Sequence, residues 1–187
     1  MDKETFRKEI KARIAALDRE YIAESDRAIF ENITALPEFA SASRVFTYLS
    51  IGREPDTRRL IAFCRELGKT VALPFDFQPD GFMSFAKLCC PVEELEAGIY
   101  GIPVPPEDAE RLVPVEGDIL IAPALCCDEK GYRLGRGGGY YDRYLAAHPV
   151  FSAGLCREAL IVDSVPRNVY DRRVSCVVTD KRIARPE

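Results

Sequence analysis

Apolar residues recur at Phe6, Ile10, Ile14 and Leu17, a helical spacing that predicts an amphipathic helix over residues 3–18. Lys3, Arg7 and Lys11 succeed one another on a neighbouring face. A second helix is expected over residues 24–35, ending before Pro37. Residues 44–50 are rich in β-branched and aromatic side chains and read as a strand. Asp56 is placed to cap a third helix, with Leu60, Phe63, Cys64 and Leu67 as its apolar positions and Gly68 as its stop. Residues 70–74 form a short buried strand. Strand, helix and strand in that order predict a parallel pair with a right-handed crossover.

Beyond this unit, residues 75–114 are proline-rich and less regular, with an edge strand expected at 83–86. Residues 118–123 form a strongly apolar run, as in a central strand buried on both faces. A helix is expected to start near Tyr140, and two further strands at 153–156 and 175–179. Strands alternating with helices predict an α/β fold, a three-layer open and mostly parallel sheet with helices on both faces.

Composition narrows the picture. The chain has 187 residues, which fits one domain spanning residues 1–187. A net charge of -4 argues against a nucleic-acid or membrane-surface role, since both need a concentrated basic face. The N-terminus lacks the apolar core of a signal peptide, and no segment approaches a membrane span, so a cytoplasmic protein is expected. Seven cysteines include no C-x-x-C pair; buried, reduced thiols are the expectation, not zinc or disulfides. The single histidine, His148, sits beside Pro149 at a predicted helix end and reads as a surface or capping residue.

The chemistry concentrates in the run Arg133-Leu134-Gly135-Arg136-Gly137-Gly138-Gly139-Tyr140-Tyr141-Asp142. Clustered glycines let a backbone adopt positive φ and approach a ligand closely. Successive amides in such a turn can cradle an anion, helped by the dipole of the helix that comes after it. Arg133 and Arg136 add positive charge suited to phosphate or carboxylate. Neither a Walker loop nor a dinucleotide fingerprint fits the spacing. Tyr140 and Tyr141 can stack on a planar heterocycle, and Asp142 can offer oxygen to magnesium. The residues alone also allow a plainer turn, with one tyrosine in the core and Asp142 merely favouring the helix start.

This run resembles the signature of the 5-formyltetrahydrofolate cyclo-ligase (methenyltetrahydrofolate synthetase) family. The resemblance extends over nearly the whole chain, through Lys3 and Arg7, Tyr48-Leu49-Ser50, Glu54-Pro55-Asp56-Thr57, Met83-Ser84-Phe85, Tyr100-Gly101-Ile102-Pro103, Val165-Pro166, Asp171 and Val177-Val178-Thr179-Asp180. It implies a fold like that of sugar-phosphate isomerases and CoA transferases. It also implies ATP-dependent closure of 5-formyltetrahydrofolate to 5,10-methenyltetrahydrofolate, with release of ADP and phosphate. The implied partners are a reduced folate and ATP, with Mg2+ as cofactor, and the expected state is a monomer.

Carried over position by position, the resemblance implies ATP contacts from Lys3, Arg7, Arg133, Leu134, Gly135, Arg136, Gly137, Gly138, Gly139, Tyr140 and Tyr141. It implies folate contacts from Leu49, Glu54, Arg136, Gly137, Gly138, Gly139 and Tyr140. Arg136 and Tyr140 are the catalytic candidates, and Asp142 and Asp171 the magnesium ligands. Several positions depart from the family pattern. Val104 stands where glutamate is usual; residues 124–127 differ after Pro123; the glutamine expected after residues 153–154 is replaced in the region 157–159; and Tyr170 precedes Asp171. The alternative expectation is therefore a relative that is non-catalytic or has an altered substrate. A sugar-phosphate isomerase or acyl-CoA transferase is a further alternative, against which the two arginines and the Tyr-Tyr-Asp run argue.

Overall fold

The computed structural model describes residues 2–98 and 101–186. Helix α1 spans Lys3–Ala16 and starts where the Asp2 carboxylate accepts from the amides of Glu4 and Thr5. Helix α2 spans Arg19–Thr34, five residues earlier than periodicity suggests, because the Asp18 carboxylate caps it through the Tyr21 amide. A short helix α3, Pro37–Ser41, leads into strand β1, Arg44–Phe46. Helix α4 covers Arg58–Glu66, with Thr57 rather than Asp56 at its N-cap position; the Asp56 carboxylate nonetheless accepts from the Arg58 amide at 3.0 Å.

Strand β2, Thr70–Phe75, pairs parallel with β1, as the strand-helix-strand order predicts. Then come β3 (Ser84–Lys87), β4 (Glu96–Ala97), β5 (Pro103–Val104) and β6 (Arg111–Leu112). Next are β7 (Ile119–Pro123), β8 (Cys126–Asp128) and β9 (Arg133–Leu134). Helix α5 (Tyr140–Ala147) precedes β10 (Phe151–Leu155), β11 (Ile161–Val162), β12 (Cys176–Val178) and β13 (Ile183–Ala184).

The main sheet runs β13-β12-β10-β7-β1-β2-β3-β6. Its five central strands, β12, β10, β7, β1 and β2, are mutually parallel, and antiparallel strands close both sides. Strand β3 was expected at the edge; β6 pairs with its outer side and covers it.

Alternation along the central strands makes the layers. Val45, Ile119 and Ile121 pack with Ile29 and Ile33 of α2, Phe39 of α3 and Leu60 of α4. Their neighbours Phe46, Leu120 and Ala122 pack with Ile10 of α1 and Tyr144 and Leu145 of α5. Every residue just named is less than a tenth exposed, so the sheet is covered on both faces, as a parallel sheet requires. At the N-terminal ends of β1 and β7, Arg44 bonds Asp118 through Nε (3.0 Å) and Nη2 (2.5 Å), which ties the two strands together.

In chain order the parallel strands are β1, β2, β7, β10 and β12, so their spatial order reverses between β1 and β7. Open α/β sheets bind ligands at such a reversal, outside the carboxyl ends of the strands.

Candidate functional site

Beyond Phe46 the chain leaves the β1 ladder. The last bond of this edge runs from the Thr47 amide to the Ala72 carbonyl at 2.9 Å. Residues 48–57 then form a loop held by its own side chains. The Thr57 hydroxyl donates to the Tyr48 carbonyl (2.7 Å), the Tyr48 hydroxyl to the Pro55 carbonyl (3.0 Å), and the Ile51 amide to Glu54 Oε2 (3.0 Å). Leu49 is buried and Glu54 largely so, and both line a cavity of about 420 Å³ at the β1/β7 reversal.

The opposite wall comes from the end of β7, the β8–β9 hairpin and the start of α5. Periodicity did not reveal the hairpin, which the chain enters after Pro123, because each of its strands has only two or three residues. Asp128, fully buried, holds the hairpin turn by accepting from the amides of Lys130 and Tyr132, while its other oxygen accepts from the Val165 amide. The turn delivers Arg133 to the cavity wall and then releases the chain into the glycine run.

In that run Gly137 (φ 120°) and Gly139 (φ 70°) hold positive φ, a conformation that L side chains rarely adopt. Gly139 occupies the N-cap position of α5. A methyl group on Gly138 would stand 2.5 Å from the Tyr140 ring, so this glycine is required by closeness, not by φ. Gly135, Gly138, Gly139, Arg136, Tyr140, Tyr141 and Asp142 all line the cavity. Leu134 does not; its side chain is buried in the core and its carbonyl accepts from the Leu125 amide.

The two arginines of the run differ in kind. The Arg133 side chain is only 2% exposed, pairs with Asp142 Oδ1 at 3.2 Å and lies 5.5 Å over the Tyr141 ring. The Arg136 side chain is 54% exposed and donates to Glu54 Oε1 from Nε at 3.0 Å and Nη2 at 2.8 Å. The Tyr140 ring meets Phe77 edge-on at 5.2 Å, and its hydroxyl donates to the Gln78 carbonyl at 3.1 Å. The Tyr141 hydroxyl is sealed from solvent without a hydrogen-bond partner among the described residues. Burial pushes the Tyr141 phenol well up, and burial together with the Glu54 charge does the same to Tyr48.

The basic residues of α1 reach this loop from the other end of the chain. Arg7 Nε donates to the Gly135 carbonyl at 2.9 Å, and its guanidinium carbon stands 3.6 Å from where a Gly137 methyl would be. Lys3 Nζ contacts both oxygens of Asp171, at 2.6 and 2.5 Å. The Arg172 amide donates to Asp142 Oδ1 at 3.1 Å, which ties the Asp171 loop to the start of α5. The expected site residues therefore converge, although Lys3, Arg7, Leu134, Gly137 and Asp171 are not on the cavity wall.

Other residues singled out from the sequence lie elsewhere. Val104 packs against Gly98 inside the β4–β5 hairpin and does not line the cavity, whereas its neighbours Ile102 and Pro103 do. Tyr100 lies outside the described residues. His148 sits after α5 as its C-cap, its ring 4.6 Å from that of Tyr144. Among the described residues no three His, Cys, Asp or Glu side chains cluster as metal ligands, and no helix is long and apolar enough to cross a membrane.

One residue near the site is not foreseen from sequence. Arg157, just after β10, is fully buried and spans from α2 to the Glu54 loop. In the sequence it marks only a departure from the expected pattern, because nothing local predicts that a cation there is paired through residues 131 positions away.

The sequence profile of the 5-formyltetrahydrofolate cyclo-ligase family matches residues 1–180. The 5-formyltetrahydrofolate cyclo-ligase of Escherichia coli K12 is 30% identical over 182 residues, covering 93% of this chain and 98% of the relative. That of Mycolicibacterium smegmatis is 32% identical over 154 residues, with 76% of each chain covered. Among solved structures, the 5,10-methenyltetrahydrofolate synthetase of Aquifex aeolicus superposes with a TM-score of 0.81 at 29% identity, covering 99% of this chain and 93% of that one.

Proposed function

The chain belongs to the 5-formyltetrahydrofolate cyclo-ligase family and is an enzyme of that kind, and we propose that it converts 5-formyltetrahydrofolate to 5,10-methenyltetrahydrofolate at the expense of ATP. One observation carries the substrate half of this reading. A single cavity joins the glycine turn, with its two arginines, to the carboxylate of Glu54.

A formamide carbon is a poor electrophile, because its nitrogen donates into the carbonyl. Transfer of the γ-phosphoryl to the formyl oxygen, with ADP leaving, turns that oxygen into part of a phosphate leaving group. The N10 lone pair then adds to the activated carbon and N10 loses its proton. The C–O bond breaks, phosphate departs, and the N5–C–N10 amidinium remains. Alignment and charge neutralisation account for most of what such a reaction needs from a protein.

The turn at residues 135–139 and the N-terminus of α5 are suited to the ATP phosphates, with Lys3 and Arg7 adding charge from α1. Arg136, exposed on the surface side of the cavity, is suited to the transferring phosphoryl. Glu54 and Leu49 are suited to the folate, the carboxylate facing the donor edge of the pterin and the leucine its apolar face. Tyr140 borders both halves. Asp142 and Asp171 offer two hard oxygen donors, a set that fits magnesium because this ion keeps most of its shell as water and phosphate oxygen. Magnesium held there supplies charge neutralisation of the phosphates. Lys3 and Arg133 balance the same two carboxylates in the structure, so bound phosphates and these cations share one local charge balance.

The alternative of a non-catalytic or altered-substrate relative drew on Val104, which lies off the cavity wall, and on the departures after Pro123, of which Ala124 and Leu125 do line the cavity. The test is direct: purified protein, 5-formyltetrahydrofolate and MgATP should give the methenyl chromophore, and omission of ATP should abolish it. Binding of both ligands without chromophore would overturn the proposal.

A further inference from the structure

Arg157 is a cation in a place where cations are costly. Its side chain is 0% exposed, and its Nε has no partner among the described residues. A buried ion pair is seldom the most stable way to fill a core, so its geometry matters more than its strength. Here the guanidinium works as a fork. Nη1 donates to Ser25 Oγ and to Asp26 Oδ1 (2.7 Å), both on α2. Nη2 points the other way, to the carbonyls of Arg53 (3.4 Å) and Glu54 (3.3 Å). Asp26 completes the clamp, since the same Oδ1 accepts from the Asp56 amide at 3.1 Å. The loop is thus gripped on both sides of Glu54 by one guanidinium–carboxylate pair.

We propose that Arg157, with Asp26, is a positioning residue that sets the Glu54 carboxylate for the reduced folate. It acts through the Glu54 backbone and does not touch the ligand. The inference rests on the reading that this cavity takes a reduced folate. The loop has no regular secondary structure of its own, so the aim of Glu54 depends on where its main chain is held. The same grip extends outward, because Glu54 Oε1 in turn holds Arg136. A lysine at 157 reaches Asp26 as a point charge but cannot bridge two elements as a planar fork does.

The test uses wild type, Arg157→Lys and Arg157→Met, with calorimetric Kd for 5-formyltetrahydrofolate and for MgATP, steady-state KM for each, and Tm. Folate affinity should fall about tenfold in Arg157→Met, and less in Arg157→Lys, while MgATP affinity changes less than about twofold. If Arg157→Met does not fold, Arg157→Lys decides alone. Unchanged folate affinity in a folded variant, or equal weakening of both ligands, makes Arg157 merely structural and overturns the inference. A wild type that binds folate without turning it over defeats the proposed activity but leaves the Kd comparison decisive. A wild type that binds no reduced folate overturns both.

Discussion

Glu54 and Arg136, 82 positions apart, are bonded to each other across the cavity mouth, with Glu54 Oε1 accepting from Nε at 3.0 Å and Nη2 at 2.8 Å. The pair links the carboxylate suited to the pterin with the guanidinium suited to the phosphoryl group. On the proposed function, a folate that takes the Glu54 carboxylate would compete for this bond and free Arg136 for the phosphate.

Arg136→Ala tests that division of labour. The side chain is more than half exposed, so its ion pair contributes little to folding. Turnover should fall about 10²- to 10³-fold, as on loss of a donor to developing charge, while Tm moves by no more than about 2 °C. Losses of turnover and stability in proportion would make Arg136 a structural residue.

Asp142→Asn keeps an oxygen to accept from Arg133 and the Arg172 amide, so the start of α5 should hold. The substitution removes the charge that suits a divalent ion. The magnesium concentration for half-maximal rate should rise several-fold at saturating ATP, roughly as expected for loss of one carboxylate ligand. An unchanged magnesium dependence removes Asp142 from the metal site.

Gly138→Ala isolates the closeness argument. A methyl group there meets the Tyr140 ring at 2.5 and 2.6 Å and must push it from its edge contact with Phe77. Gly138 has no positive φ, so the backbone tolerates alanine. The expected result is a loss in kcat/KM of about tenfold or more with a nearly native Tm. Gly139→Ala, at φ 70° and with its methyl 2.6 Å from the movable end of the Arg143 side chain, should instead cost about 1 kcal/mol or more of stability, chiefly from backbone strain. Urea unfolding of the two variants separates the effects; equal stability losses would contradict this assignment.

These contrasts show what was legible in the chain and what was not. The glycine run, the central strand β7 and the parallel β1–β2 pair are set by local composition and periodicity, and all three occur. The 44–50 run stops as a strand at Phe46, because the segment after it must bend to carry Leu49 and Glu54; propensity cannot see that demand. The early start of α2 was hidden because Asp18 looks equally like the end of one helix and the cap of the next. Strands of two or three residues, such as β8 and β9, are too short to show a period. Least legible were the long-range pairs. Lys3 with Asp171, Glu54 with Arg136 and Asp26 with Arg157 span 168, 82 and 131 positions, and only the folded chain brings them together.

Alkaline pH should expose the thiols. Burial raises Cys64 and Cys126 from 9.0 to about 12 and Cys176 to about 11. In the unfolded chain these thiols ionise near the ordinary value, while in the folded protein they stay protonated. Unfolding therefore releases protons above pH 9, and stability that is fully present below that value is lost as pH rises towards 11–12. Each such thiol contributes a slope of about 1.4 kcal/mol per pH unit within its window. Cys126 is fully buried, so solvent screening does not weaken the effect. Urea unfolding of wild type and Cys126→Ala in reducing buffer, at several pH values from 8 to 10.5, reads the slope directly. The variant starts less stable, through its lost packing, but its stability should fall less steeply above pH 9. Parallel curves would mean that Cys126 does not resist ionisation in the folded state.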